Sequence, residues 1–184
     1  MTVQELVPLG SKTTMRIGGK ARAYADIFTQ EDGEEAERYA REHRLPLIVL
    51  GGGSNTIFAD GVIEALIIRM KADGVLCQAQ HKNGALITVQ AGTILASLIN
   101  ELAEQNLDLS SLTGIPGTIG GAVFGNAGQG PGGTWIDHYV ESVTAYTDSQ
   151  WRTFTRNECC FTYRDSIFKQ LSRSSKLEAL SAPI

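Results

Sequence analysis

The run Leu45-Pro46-Leu47-Ile48-Val49-Leu50 passes without a break into Gly51-Gly52-Gly53-Ser54-Asn55, and this junction constrains the fold more than any other stretch. A short apolar segment rich in β-formers, bounded by proline and glycine, predicts a buried strand. Three glycines directly after such a strand let successive backbone N–H groups converge into an anion-holding nest. The Ser54 hydroxyl and the Asn55 amide add donors, a set suited to a pyrophosphate. A plain tight turn between strands fits the same letters, and the motif alone leaves both open. The stretch is neither a Walker A loop nor a dinucleotide fingerprint: the glycine-lysine ending is absent, and Thr56–Gly61 turns instead of opening a long helix.

A second glycine loop follows at Gly114-Ile115-Pro116-Gly117-Thr118-Ile119-Gly120-Gly121-Ala122, with Gly125-Asn126-Ala127-Gly128 close behind. Two such loops suit a long, thin, phosphate-bearing cofactor, one for the phosphates and one along the remainder. For Gly120 and Gly121, close packing of two lobes is another use of glycine that stays open.

Around these loops the pattern is mixed. Ala21–Ile27 predicts a strand, Asp32–Arg44 a solvent-facing helix with a narrow apolar stripe, and Ala65–Met70 a strand. Beyond a turn at Lys71–Gly74, Leu86–Ala91 predicts a strand. Thr93 is a candidate cap for a helix over Ile94–Gln105. Tyr139–Thr147 and Trp151–Thr155 predict a hairpin. Helices interspersed with strands give an α+β class, organised as residues 1–71, residues 72–170 and a tail, 171–184, expected to fray because it shows neither alternation nor turn signals.

Composition narrows the function. The 184 residues carry a net charge of -4, which argues against a nucleic-acid or membrane-surface binder. No segment has the ~20 apolar residues of a membrane helix and no apolar leader is visible, so a cytoplasmic location is expected. Cys77, Cys159 and Cys160 form neither a disulfide framework nor a metal set, and no metal site is expected. His43, His81 and His138 sit in polar contexts as solvated side chains. Arg164, in Tyr163-Arg164-Asp165-Ser166, lies among Phe161, Ile167 and Phe168. A guanidinium held partly dry stabilises a developing anion; a surface ion pair with Asp165 is the plainer reading.

Four blocks together resemble the UDP-N-acetylenolpyruvoylglucosamine reductase family of flavoenzymes: Thr13–Gly19, Leu50–Asn55, Gly114–Ala122 and Phe161–Lys169. The resemblance covers Thr13 to Lys169. It implies a two-lobed FAD-binding fold of the vanillyl-alcohol-oxidase (PCMH) type, with 1–71 as one lobe and 72–170 as a second, incomplete lobe. It implies non-covalent FAD, with Gly51, Gly52, Gly53, Ser54 and Asn55 on the pyrophosphate. Gly114, Ile115, Pro116, Gly117, Thr118, Gly120, Gly121, Asn126 and Tyr163 would lie along the rest of the cofactor. The absence of histidine or cysteine in or beside either glycine loop agrees with non-covalent binding. The implied reaction is NADPH-driven reduction of the enolpyruvyl double bond of a UDP-sugar to UDP-N-acetylmuramate. It belongs to peptidoglycan synthesis, and so to cell-wall biogenesis, cell shape, cell cycle and cell division. Arg164 would bind the substrate carboxylate and stabilise the enolate-like intermediate.

Two departures stand out. The family's substrate domain, with its proton-donating serine and C-terminal glutamate, is expected to be missing, as is the final strand of the second lobe. Ser172, Ser174 and Glu178 therefore receive no family role, weak turnover is expected, and self-association through uncovered surface follows. The stretch Gly128–His138 is also richer in glycine than the family's usual text. Two other classes compete: a non-catalytic flavin-binding or electron-transfer module paired with another chain, and an oxidase with covalent flavin.

Overall fold

The computed structural model describes residues 1–81, 84–130, 133–173 and 177–183. The side chains of His81 and Glu178, and residues Pro131, Gly132 and Ser174, lie outside the described set. Two sheets organise the chain. The first contains β1 (Gln4–Pro8), β2 (Lys20–Ile27), β3 (Leu47–Leu50) and β4 (Val62–Met70) in the order β1-β2-β4-β3. Strand β4 runs parallel to both β2 and β3, while β1 is antiparallel. Ala65, Leu66, Ile67 and Ile68 are all buried, as expected of a parallel strand covered on both faces. On one face Ala25, Ile27, Leu66 and Ile68 meet Ala36 and Ala40 of helix α1 (Gln30–His43); on the other, Leu9, Tyr24, Leu50 and Ile67 cluster.

Local chemistry sets the limits of α1. Thr29 Oγ1 accepts from the Asp32 N–H at 3.1 Å, and Asp32 Oδ2 accepts from the Thr29 N–H at 3.2 Å, a reciprocal cap satisfying two otherwise orphaned donors. At the other end Arg44 turns left-handed, with φ 55°, and donates its N–H back to Ala40 and Arg41.

The second sheet is antiparallel and contains β5 (Val75–His81), β6 (Gly84–Val89), β7 (Ser142–Thr147), β8 (Gln150–Thr155) and β9 (Leu177–Pro183), in the order β5-β6-β9-β7-β8. Helices α2 (Leu95–Glu104), α3 (Ile119–Phe124) and α4 (Ile167–Arg173) complete this half. Leu95, Leu98 and Leu102 of α2, Ile119 and Val123 of α3 and Phe168 of α4 join Val89 and Val143 in the largest core cluster. Tyr146 and Trp151 instead join the α1 side of the first sheet. Tyr146 donates to Glu37 at 3.1 Å and Trp151 to Glu34 at 3.1 Å, so the β7–β8 hairpin is fastened to α1.

Two expectations change. Thr93 does not cap α2: Ile94 holds the cap position without a side-chain bond, and Thr93 Oγ1 accepts from the Gly74 N–H at 2.9 Å, closing the turn into β5. The stretch expected to fray contains strand β9, which pairs with β6 through Thr88–Pro183 and Val89–Ala182 and with β7 through Ala145–Leu180. Its residues lack β-branched side chains; two waiting ladder edges order it, not its own pattern. Strands β1 and β5 were also missed, because both are edge strands with largely exposed side chains and no clear alternation.

Among the described residues no helix is long and apolar enough to cross a membrane. All three cysteines are free, Cys77 and Cys160 exposed and Cys159 buried. Burial, with the neighbouring Cys160 and Glu158 adding to it, pushes the Cys159 thiol up to about 12. At pH 8 two thiols should therefore react quickly with Ellman's reagent and the third only on unfolding. Phe168 is fully buried with its ring edge-on to Phe154. Phe168→Ala should lower unfolding free energy by ~3–5 kcal/mol, read from urea denaturation.

Candidate functional site

The two glycine loops meet. Ser54 Oγ donates to the Pro116 carbonyl at 3.2 Å. A Cβ placed on Gly52 would fall 2.9 Å from Gly117 Cα, and one on Gly51 would fall 2.9 Å from Thr118 Oγ1. The Gly52 contact is backbone on backbone and the Gly51 contact is backbone on the threonine hydroxyl, and a side chain would block either. Behind them, the Thr14 N–H donates to the Gly53 carbonyl at 3.0 Å. Gly53 has φ 70°, and a Cβ there would overlap the Lys12 carbonyl oxygen. The first block, Thr13–Gly19, thus buttresses the first loop from one side while the second loop lies against it from another.

Backbone hydrogen bonding separates the loop amides into two groups. Among the described residues, the N–H groups of Gly52, Gly53, Ser54, Asn55, Gly117 and Thr118 donate to no protein acceptor. Donors left unpaired where two loops meet are of the kind that can satisfy an anion. Other amides of the second loop are already engaged: Ile115 N–H with Leu112, Ile119 N–H with Thr93 and Gly120 N–H with Ala91. Gly120 also lies so close to Ala91 that a Cβ would sit 2.8 Å from the alanine methyl. For Gly120 the structure therefore shows the packing use of glycine. Gly121 is exposed and donates its N–H to Thr118 Oγ1 at 3.4 Å, and Gly114 is exposed at φ 85°.

Helix α3 carries the chain from this cradle to a second cluster about 9 Å further on, at 1.5 Å per residue over its six residues. Just past its C-terminal end, Asn126 is buried. Its Nδ2 donates to the Thr162 carbonyl at 2.9 Å, and its Oδ1 accepts from the Asp137 N–H at 3.3 Å. Its side chain thus ties protein to protein. Ser166 Oγ donates to the Phe124 carbonyl at 2.7 Å, locking the Tyr163–Ser166 turn to the same helix.

Arg164 is exposed and makes no ion pair with Asp165. Its Nη2 donates to the Gly128 carbonyl at 2.9 Å and its Cζ lies 5.0 Å from the Trp135 ring centroid. The aromatics beside it in sequence do not frame it: Phe168 is in the core. The neighbouring ring is Trp135, which meets Tyr163 edge-on at 5.2 Å. Trp135 had gone unnoticed because it follows a glycine-rich stretch with no periodic signal. His43 stacks on Tyr39 at 3.9 Å and exposed His138 accepts from the Trp135 N–H at 3.4 Å. Among the described residues, no cluster of histidine, cysteine or carboxylate side chains could hold a metal ion.

The sequence profile described as FAD binding domain matches residues 21–149, more than two thirds of the chain. The chain belongs to the FAD binding domain family. Curated proteins named UDP-N-acetylenolpyruvoylglucosamine reductase are similar along most of it. The protein from Pseudomonas aeruginosa is 36% identical over 173 residues, covering 92% of this chain and 50% of its own length. That from Cutibacterium acnes is 32% identical over 168 residues, covering 90% and 44%. The chain therefore spans about half the length of the curated relatives it matches. The crystal structure of the Thermus caldophilus UDP-N-acetylenolpyruvylglucosamine reductase superposes with a TM-score of 0.76 at 28% identity, covering all of this chain and 61% of that one. Cholesterol oxidase from Brevibacterium sterolicum superposes at 0.67 with 17% identity, a likeness of fold alone. The fold is thus the α+β FAD-binding type expected from the four sequence blocks.

The unpaired amides fit an anionic diphosphate, and the contact between loops leaves no room for side chains at its centre. Gly53→Val should strain a left-handed backbone by at least ~1 kcal/mol and push the Lys12–Thr13 segment away. The expected outcome is at least tenfold weaker binding of FAD, measured by flavin fluorescence titration, with far-UV circular dichroism retained.

Proposed function

We propose that this chain is the flavin-holding part of a UDP-N-acetylenolpyruvoylglucosamine reductase, acting in the cytoplasm in peptidoglycan precursor synthesis and so in cell-wall biogenesis and cell division. The observation that carries the reading is the set of unpaired amides from Gly52 to Asn55 facing Gly117 and Thr118 across the loop contact. In this reading Gly51–Asn55 hold the pyrophosphate of a non-covalently bound FAD. Residues 1–71 and 72–170, the latter completed by β9, act as its two lobes. Gly114–Thr118, Gly121 and Tyr163 border the remainder of the cofactor. Gly120 and Asn126 act indirectly, by holding the loop and the Thr162–Asp165 turn in position.

A bound FAD would supply hydride chemistry between NADPH and the enolpyruvyl double bond of a UDP-sugar. The residues of this chain supply orientation and charge. Fixed main-chain N–H dipoles neutralise the diphosphate without reorganising, which is what makes a preformed nest effective. Arg164 offers a permanent positive charge whose planar fork matches a carboxylate. There it would orient the enolpyruvyl group and stabilise negative charge accumulating on the carboxylate side as the double bond is reduced.

The test is direct. Addition of FAD to the purified chain should give a saturable shift of the flavin absorbance bands. Acid precipitation should then leave the colour in the supernatant, since no covalent bond holds it. Free-flavin spectra at all protein concentrations would refute the cofactor assignment; colour in the pellet would refute non-covalent binding.

A further inference from the structure

Arg164 is held at both ends of its side chain. Its backbone has φ 55°, a conformation that a residue other than glycine keeps only when its surroundings enforce it. Here they do. Thr162 and Asp165 exchange backbone hydrogen bonds at 3.1 and 3.2 Å, Asn126 grips the Thr162 carbonyl, and Lys169 Nζ donates to the Arg164 carbonyl at 2.9 Å. At the far end, Nη2 is spent on the Gly128 carbonyl and the guanidinium lies over the Trp135 indole, within the ~6 Å at which a cation is attracted to the ring face. Gly128 and Trp135 are themselves a bridge pair, and a Cβ on Gly128 would fall 2.6 Å from the indole carbons. Only a glycine lets this carbonyl approach so closely that carbonyl, indole and guanidinium meet.

We propose that Trp135 is a positioning residue for Arg164. Its indole face and the Gly128 carbonyl fix the guanidinium so that the remaining N–H groups stand ready for a carboxylate. An arginine loses much rotamer freedom when it is immobilised by a ligand; one already laid on an indole loses less. The inference rests on the proposed role of Arg164 as carboxylate receiver and adds the residue that orients it.

The experiment uses ¹H–¹⁵N spectra of the arginine Nε–H groups in the full 184-residue chain, with the Arg164 signal assigned by its loss in Arg164→Lys. In the native protein the indole ring current should displace that signal from the other arginines. Trp135→Leu should return it to the bulk position and Trp135→Phe should restore most of the displacement, with melting temperature equal in the two variants. Titration with 2-methoxyacrylate, a carboxylate bearing an enol ether and no phosphate, should move the signal saturably. The midpoint should be roughly fivefold higher in Trp135→Leu than in the native protein or Trp135→Phe, and the neutral methyl ester should have no effect. An undisplaced native signal, equal midpoints in all three proteins, no response to the acid, or an equal response to the ester would each overturn the proposal. None of these readings requires FAD, so a failure of flavin binding would count against the proposed function and leave the placement of Arg164 standing.

Discussion

The rest of the site depends on two stretches of backbone approaching more closely than side chains permit. Gly51 and Gly52 lie against Gly117 and Thr118, and Gly53 lies against Lys12 and Thr13. This contact leaves several N–H groups unpaired at the junction, a cost that a folded chain tolerates where an anion can satisfy them. Everything nearby serves it: β3 delivers the first loop, α3 carries away the second, and Ser54 fastens one to the other through the Pro116 carbonyl. A tight turn also leaves its central amides open; what this junction adds is a second loop lying against the first.

The parts legible in sequence were those with local causes. The apolar run before Gly51 predicted β3, the stretch Ile94–Gln105 predicted α2, and the pair Tyr139–Thr147 and Trp151–Thr155 predicted the β7–β8 hairpin. The parts that escaped have remote causes. Strands β1 and β5 carry no burial pattern because their side chains are largely exposed on both faces. Thr93 sits where a cap belongs, yet its hydroxyl is taken by Gly74, nineteen residues earlier in the chain. The same holds in the site. Glycine clustering located both loops, but whether a given glycine faces a ligand or a neighbour depends on its partner, and for Gly120 that partner is Ala91.

Arg164 shows how proximity in sequence can mislead. Phe161 and Phe168 suggested an aromatic frame, but the ring that meets the guanidinium comes from Trp135, and Asp165 is not its ion-pair partner. A short turn projects alternate side chains in different directions, so the immediate neighbours of an arginine are often those least able to touch it. Asn126, singled out as a cofactor contact, holds that turn in place through Thr162.

Strand β9 has a consequence for assembly. It lies between β6 and β7, the first of which ends at Val89 and the second at Thr147, well before Leu177 opens β9. Until it docks, both neighbours present a row of unsatisfied amides and carbonyls, the arrangement by which separate molecules join edge to edge. Closure across such long separations is slow. Loss of β9 from its slot would split the second sheet in two and leave both inner edges open to pairing with another copy.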